Sequence, residues 1–502
     1  MKLRITMILL MASLYGCSEF LEETSQDEIR PSTVRDIEKL LEGEAYFSGE
    51  EGYIFNRGTD IFTDDVQCNV LAENMSSYTT KKENGRYRFI WEKTMFDEEG
   101  GGQDITFWQL PYERINRCNL ILEYIDGMDG SEAEREHLKG EAYTLRGFYY
   151  LMLVNFFGLP YNFGDPEQNL GVPLKLDSGV TDDRLERNSV AECYEQIEKD
   201  LLRGTELMRQ NSSQQSLKIT RLGYLAGYAL LSRMYLYMGN YDKALMYADS
   251  VLFIKQDLLD LNNSISTNVY YSSSSMEILW AGVETCTDFN TSGKMPYTPS
   301  SSLISVFGQD LDGQKDLRCD YNNVTWNVTV GSSYLKRGSF WNTELGVYEY
   351  WVSYIAKGDA VASNNFYNAG VRLAELYLNR AEVLARRYVE TGNREDGEAA
   401  LVALNTLRRH RFETGYVDKQ LSDFMDGNTL LDFCLRERRR ELCAEGNHRW
   451  FDLRRLGMPF ITHIYVDDSG YEMEYVLQEE DPRYALPIPE EVIRKNSNLV
   501  QN

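Results

Sequence analysis

The sequence predicts a mainly α-helical protein, in which paired helices form a scaffold and one loop-rich insertion with short β-strands interrupts them. Three observations point there. Apolar residues recur at helical spacing through most of the chain, bounded by capping and stop signals. Two stretches read as helix–turn–helix pairs of about 34 residues each. Between them, over residues 255–368, Ser, Thr, Asn and Tyr take over, and four of the seven tryptophans fall there. With 502 residues, 43% of them hydrophobic, the chain has ample material for a large core.

MKLRITMILLMASLYGC, at the N-terminus, opens with Lys2 and Arg4, continues with an apolar run from Ile5 to Leu14 and reaches small Gly16 before Cys17. The run is too short to span a membrane and reads as a secretory signal over residues 1–16. Leu14-Tyr15-Gly16-Cys17 looks like a bacterial lipobox, which puts the cut before Cys17 and acyl chains on it. The alternative is an ordinary signal with an incidental cysteine; the position of Cys17 at the expected cut favours the lipobox. Residues 17–35 are polar, acidic and carry Pro31, and read as a tether to a single domain over 36–502.

Helices are expected over about 105–254 and 369–455. Residues 107–125 carry Ile115, Cys118, Leu122 and Ile125 on one face. The next helical stretch stops at Gly158 and Pro160. Ser189 and Glu192 form a capping box for a helix that buries Tyr194, Ile197 and Leu201. In the first helix pair, Gly223, Ala226, Gly227 and Ala229 allow close approach of a neighbour, Gly239-Asn240-Tyr241 makes the turn, and Ala244 and Ala248 face back across it. The second pair turns at Gly392-Asn393. The period is that of tetratricopeptide (TPR) repeats, but two degenerate, distant copies give a TPR-like scaffold and not a regular solenoid.

In the insertion, VTWNVTV puts Trp326 on one face with Val324, Val328 and Val330, and VYEYWVSY puts Tyr348, Tyr350 and Tyr354 on another. Trp341 lies between these runs. Aromatic faces stack on the apolar face of a pyranose, and the tyrosine hydroxyls reach its oxygens. Core packing is the competing reading, and it is the stronger one for Trp326 with its valines. ENGRYRFIW adds Arg86, Tyr87 and Trp91 in a turn-flanked region before the first long helix, with a structural Trp91 as the alternative.

The formal net charge of −26 and a pI near 4.7 exclude a global footprint for nucleic acid. Removing residues 1–16 takes away two more cations. Of the eight cysteines, seven besides Cys17 are scattered with no CxxC pair, so neither a disulfide framework nor a zinc site is expected. GxSxG, HExxH, P-loop and GxGxxG motifs are absent. Among 78 acidic residues carboxylate pairs arise by accident, so the chain is read as non-catalytic. No cofactor is expected; Asp64-Asp65 is too little for a structural calcium site.

RERRRELCAEGNHRWFDLRR, residues 436–455, gathers seven arginines against Glu437, Glu441, Glu445 and Asp452. Helical spacing pairs Glu437 with Arg440 and Arg438 with Glu441. The apolar stripe Leu431, Leu435, Leu442 passes through Arg438, which is therefore expected to point inward and to need carboxylate or carbonyl partners. The helix should end near Gly446, after which Trp450, Phe451 and Leu453 pack on the frame. Interleaved acids argue for a structural clamp over a phosphate site.

These motifs together resemble the SusD/RagB family of surface nutrient-binding lipoproteins. The resemblance runs nearly end to end. It starts at Cys17 and SEFLE and continues through Trp108, Tyr112, Ile115 and Asn119, then Glu141-Ala142, Leu145-Arg146, Tyr149, Tyr150 and Gly158-Leu159-Pro160. KDLR (315–318), VRLAELYLNRAE (371–382), the stretch with Arg438, Glu441, Arg449, Trp450 and Asp452, and LPIPEEVIRKNSNLVQN at the C-terminus complete it. Gly147, Cys443 and Asn447 depart from the usual pattern. The resemblance implies a SusD-like fold, anchorage through Cys17 on the outer face of an outer membrane, and a SusC-like TonB-dependent barrel transporter as partner. It also implies capture of oligosaccharides, or of peptides in RagB-like members, without catalysis. A TPR-type interaction scaffold without a small ligand is the competing function.

Overall fold

The structure is a computed structural model that describes residues 31–47, 59–68, 76–97, 105–179, 184–263, 275–285, 296–318, 335–342, 347–354, 360–362 and 365–502. Helix α1 (Val34–Leu40) starts two residues inside the expected tether, because Thr33 and Asp36 form a capping box there. A π-helical turn, Leu41–Ala45, extends it. A 3-10 turn (Thr59–Phe62) leads to β1 (Val66–Cys68). Helix α2 (Ser76–Phe89) follows. The sequence reading described residues 83–91 only as a turn-flanked region before the first long helix and did not foresee this helix. KKENGRYR is rich in good helix formers, and they outweigh the single Gly85.

Helix α3 (Thr106–Tyr124) buries Cys118 and Ile115 as expected. Helix α4 (Glu132–Phe157) is closed by Gly158, and α5 (Val190–Gln210) is opened by the Ser189–Glu192 capping box. The first pair is α6 (Tyr224–Met238) and α7 (Tyr241–Ile254), joined through Gly239 at φ 75° and capped by the Asn240 side chain on Lys243 N–H.

The insertion contributes short ribbons and one unforeseen helix. β2 (Ile278–Thr285), β3 (Tyr297–Pro299) and α8 (Ser301–Phe307) come first, then β4 (Leu335–Asn342), β5 (Val347–Tyr354), β6 (Ala360–Ala362) and β7 (Asn365–Arg372). β5 coincides with the alternating run VYEYWVSY. All pairings are antiparallel: β1 with β3, β2–β7–β6 in that order, and β4 with β5.

β7 runs straight into the second pair, α9 (Leu373–Thr391) and α10 (Arg394–Arg409), so Arg372 ends the strand and opens the helix. Helix α11 (Gly427–Leu442) ends earlier than expected. A short turn leads to α12 (His448–Arg455), which buries Trp450, Phe451 and Leu453. The ribbon β8 (Ile461–Val466) with β9 (Glu472–Leu477) and helix α13 (Glu490–Lys495) complete the chain. One continuous cluster of buried apolar side chains runs from Val34 to Leu499.

Helices α4 and α5 cross at glycines. A Cβ on Gly204 would lie 2.4 Å from Thr144 Oγ1 and 2.6 Å from the Gly140 carbonyl. Alanine gains about 1 kcal/mol of helix propensity over glycine. A clash with a backbone carbonyl cannot relax by a rotamer change, so overpacking wins. Gly204→Ala is therefore expected to lower stability by about 1–3 kcal/mol in urea titrations. A raised unfolding midpoint would contradict the close approach.

Candidate functional site

The arginine stretch is buried scaffolding. Glu441, on α11, is fully buried. Its Oε1 accepts from Arg372 Nη1 (2.5 Å) and Arg411 Nη2 (3.0 Å), and its Oε2 from Arg318 Nη1 (2.9 Å). Arg372 also reaches Glu445 (2.8 Å) and Glu277 (2.7 Å), and Arg411 reaches Glu277 at 2.8 Å. Glu437 takes Arg408 (2.5 Å) and Arg318 (2.6 Å). Burial alone would raise Glu437, but Arg318, Arg408 and Arg440 overcome it and bring its pKa down to about 2.

Arg438 points inward, onto Asp452 (2.7 Å) and Asn379 (2.8 Å). The expected Arg438–Glu441 pair is not formed. Glu441 instead faces three arginines from other segments, and this tertiary demand overrides the i,i+3 spacing. The Glu437–Arg440 pair is present at 3.5 Å. Carboxylates pair with these guanidiniums, and backbone carbonyls of Phe156, Gly158 and Tyr484 with Arg454, all in a buried setting, so the stretch is a structural clamp and not a phosphate site.

Arg439 and Arg449 tie this scaffold to the N-terminal segment. Arg449 grips Asp64 in a bidentate pair (2.8 and 2.7 Å), and Arg439 holds Asp65 at 2.7 Å. Both aspartates, weighed above as calcium ligands, thus face guanidiniums. The backbone of the same two residues anchors the start of α8: Ser300 N–H donates to Asp65 O (2.7 Å) and Ser300 Oγ–H to Asp64 O (2.6 Å). The β1–β3 ribbon is pinned beside them.

On this ribbon stands an aromatic face. Gly85 of α2 lets Tyr297 of β3 lie against the helix: a Cβ there would meet Tyr297 Cε2 at 2.3 Å. Tyr297 donates to Lys82 O (2.7 Å) and packs on Phe89. Arg86, half-buried, lies 5.1 Å over the ring of Tyr465. The hydroxyl of Tyr465 donates to Glu83 (2.7 Å); burial, then that carboxylate, pushes its pKa well up. A hydrogen bond with Tyr475 raises Arg86. Tyr87 and Tyr475 are half-buried and Tyr471 is exposed.

Trp91 is corrected from a ligand contact to a supporting residue. It is 1% exposed, donates from Nε1 to Phe62 O (2.9 Å) and stacks on His463 at 4.2 Å. Its φ of 53° is a left-handed conformation that a bulky residue tolerates only when packing enforces it. His463 is held between Trp91 and Phe89, and burial pushes its pKa below the ordinary value.

β5 runs alongside β3, which brings the insertion to α2. The β4–β5 register sets Trp341 opposite Tyr348, Ser339 opposite Tyr350 and Leu335 opposite Tyr354, so these positions share one face of the ribbon. β3 thus lies between α2, which Tyr297 touches, and the backbone of β5. Trp326 and Cys17 lie outside the described residues. The sequence reading missed Tyr297, Tyr465 and Tyr475; the alternation in THIYV and EMEYV was the available signal. Among the described residues no three His, Cys, Asp or Glu side chains converge to hold a metal ion, and no helix is long and apolar enough to cross a membrane.

Comparison with known proteins gives a consistent picture. Residues 19–236 match the family model described as "Starch-binding associating with outer membrane", and residues 263–502 match that of the SusD family. Among curated proteins none matches the chain. Solved structures with the same fold include a SusD superfamily protein from Bacteroides vulgatus ATCC 8482 (21% identity, TM-score 0.70, covering 94% of this chain and 99% of that one). Another is a SusD superfamily protein from Bacteroides thetaiotaomicron VPI-5482 (23%, 0.65, 94% and 99%). A third is a SusD-like carbohydrate binding protein from B. vulgatus ATCC 8482 (22%, 0.66, 93% and 97%). With the helix-pair scaffold, the clamp of residues 436–455 and two matched family models that between them span nearly the whole sequence, the chain belongs to the SusD/RagB family.

Proposed function

We infer that this chain is a non-catalytic cell-surface lipoprotein, anchored through Cys17, that binds oligosaccharides and passes them to a SusC-like TonB-dependent barrel transporter. The ligand lies on the face formed by α2, β3, β5 and the β8–β9 ribbon. What supports this reading is the half-buried and exposed aromatic set of α2 and the β8–β9 ribbon beside the arginine clamp, with β5 running along β3 next to it. Tyr87, Tyr471 and Tyr475 supply rings and hydroxyls there, Arg86 supplies N–H donors, and the β5 positions Tyr348, Tyr350 and Tyr354 join them from the insertion. Rings take the C–H face of a pyranose, while donors and acceptors take its hydroxyls. The family description and the carbohydrate-binding relative support the same ligand class. The acidic chain favours a neutral glycan over a polyanionic one.

Affinity electrophoresis of the intact protein in native gels containing starch, xyloglucan, mannan or pectin tests the reading. At least one polysaccharide should retard the wild type, and the double variants Arg86→Ala/Tyr87→Ala and Tyr348→Ala/Tyr350→Ala should migrate freely with little change in melting temperature. Retardation unaffected by both double variants would move the site elsewhere. Capture of peptides with no retardation in any gel would replace the glycan by a peptide. Release of a shortened sugar would make the protein an enzyme.

A further inference from the structure

A second groove lies away from this face, between the α6–α7 turn, the C-terminal half of α9 and the start of α11. It holds about 810 Å³, within the roughly 300–1,000 Å³ of small-molecule sites. Met238, Val383 and Leu431 line it with apolar surface. Tyr241 forms one wall, and the Arg386 guanidinium lies 5.0 Å over its ring. Tyr161 stands on the other side, its ring packed edge-on against Tyr194 at 5.0 Å.

The rim is balanced in charge and rich in spare hydrogen-bonding capacity. Arg386 spends Nε and Nη2 on Glu382 (2.9 Å each), and Arg387 spends Nη2 on Asp242 (2.5 Å). Each guanidinium has five N–H groups, so both retain donors. Asp242 retains an oxygen. Asn240 uses its side-chain oxygen on Lys243 N–H and keeps its amide N–H groups. Glu390 is exposed on the same rim. An anion would meet Asp242 and Glu390, and a cation would meet Arg386 and Arg387. A hydroxyl donates and accepts at once and suits both, while the apolar floor and the tyrosine walls suit the C–H faces of a sugar ring.

We propose that this groove is a second saccharide site, which takes a short neutral oligosaccharide independently of the first face. The two sites share no secondary-structure element, so each has its own methionine reporter. Met238 lies in the groove. Met473 lies on β9, its Sδ 3.8 Å from the Tyr475 hydroxyl.

The test uses the mature protein in detergent, labelled with [13C-methyl]methionine, both resonances being assigned by Met→Leu substitution. It is titrated with maltoheptaose, cellohexaose and mannohexaose. The Met238 resonance should shift with at least one sugar, and Tyr241→Ala and Arg387→Ala should each abolish that shift while any Met473 response remains. Both substituted residues are only partly buried, and an unchanged Met473 resonance reports that each variant is folded. Movement of Met473 with one or more sugars, while Met238 stays in place with all three, overturns the second site alone. A Met238 shift that survives both substitutions overturns it as well. Silence of Met238 with all three sugars does the same, and the gel assay decides the first face separately.

Discussion

Glu441→Gln is expected to cost about 3–5 kcal/mol of stability, or to abolish folding, because it breaks a buried ion network by removing one partner. The side chain is inaccessible, and it joins four stretches of chain: Arg318 follows α8, Arg372 stands at the β7–α9 junction, Arg411 follows α10, and Glu441 itself is on α11. Glutamine keeps the volume but turns an NH₂ group against guanidinium N–H groups, so donors face donors. Burying an ion costs several kcal/mol even after relaxation, and only well-placed counter-charges offset it. The surface pair Arg394–Glu398, both partners largely exposed, is the control: Arg394→Ala should leave stability near that of the wild type. Urea unfolding followed by circular dichroism reads both variants. A Glu441→Gln midpoint no lower than that of Arg394→Ala would show that the network does not hold these segments together. Arg438→Ala belongs to the same class. It should lower stability, and lower ligand binding only through unfolding, since its partners are Asp452 and Asn379 and not the aromatic face.

The helical frame was legible from local signals, because caps and turns are local chemistry. Ser189–Glu192, Gly239-Asn240 and Gly392-Asn393 each do what their residue types dictate at that spacing. The inward direction of Arg438 was legible for the same reason, from an apolar stripe passing through it. Its partner was not. Spacing along one helix offered Glu441, whereas three arginines from distant segments claim that carboxylate. Such a choice depends on which segments the fold brings together, and no periodicity encodes it. The site shows the same limit. Tyr348, Tyr350 and Tyr354 were read as one stripe and Arg86 with Tyr87 as another, but what brings β3 between their elements is the β1–β3 pairing and Gly85, whose missing Cβ admits Tyr297. Trp91 misled because an aromatic near a turn looks the same in sequence whether it faces solvent or stacks on a buried histidine.

Acid should unfold the protein over the range from about pH 4.5 down to about pH 2, and the buried carboxylates set the direction. Arg318, Arg408 and Arg440 hold Glu437 at about 2, against an ordinary 4.5, and Arg449 and Arg439 hold Asp64 at about 2, against 3.8. Between each pair of values the unfolded chain is protonated and the folded chain is not. The stabilisation is therefore complete above the ordinary values and is lost as pH falls through the folded ones. For Glu437 the difference corresponds to about 3 kcal/mol. Glu441 and Glu382 are depressed further by their own arginines and act in the same sense.

Asp65 opposes them. Burial raises its pKa despite Arg439, so in the folded protein it takes up a proton first and resists the acid slightly. His463 starts the decline earlier. Burial lowers its pKa from 6.5, so the unfolded imidazole charges first as pH falls through that value. The free energy of unfolding, measured in urea at successive pH values, should be level from about pH 7 to about pH 8, fall gently near pH 6.5 and fall steeply below about pH 4.5. Glu437→Gln should start lower at neutral pH and show a shallower acid limb, because one of the depressed carboxylates no longer takes up a proton on unfolding. Stability that holds level from about pH 5 to about pH 2 would mean that the arginines do not hold these carboxylates ionised, and the clamp of residues 436–455 would lose its electrostatic basis.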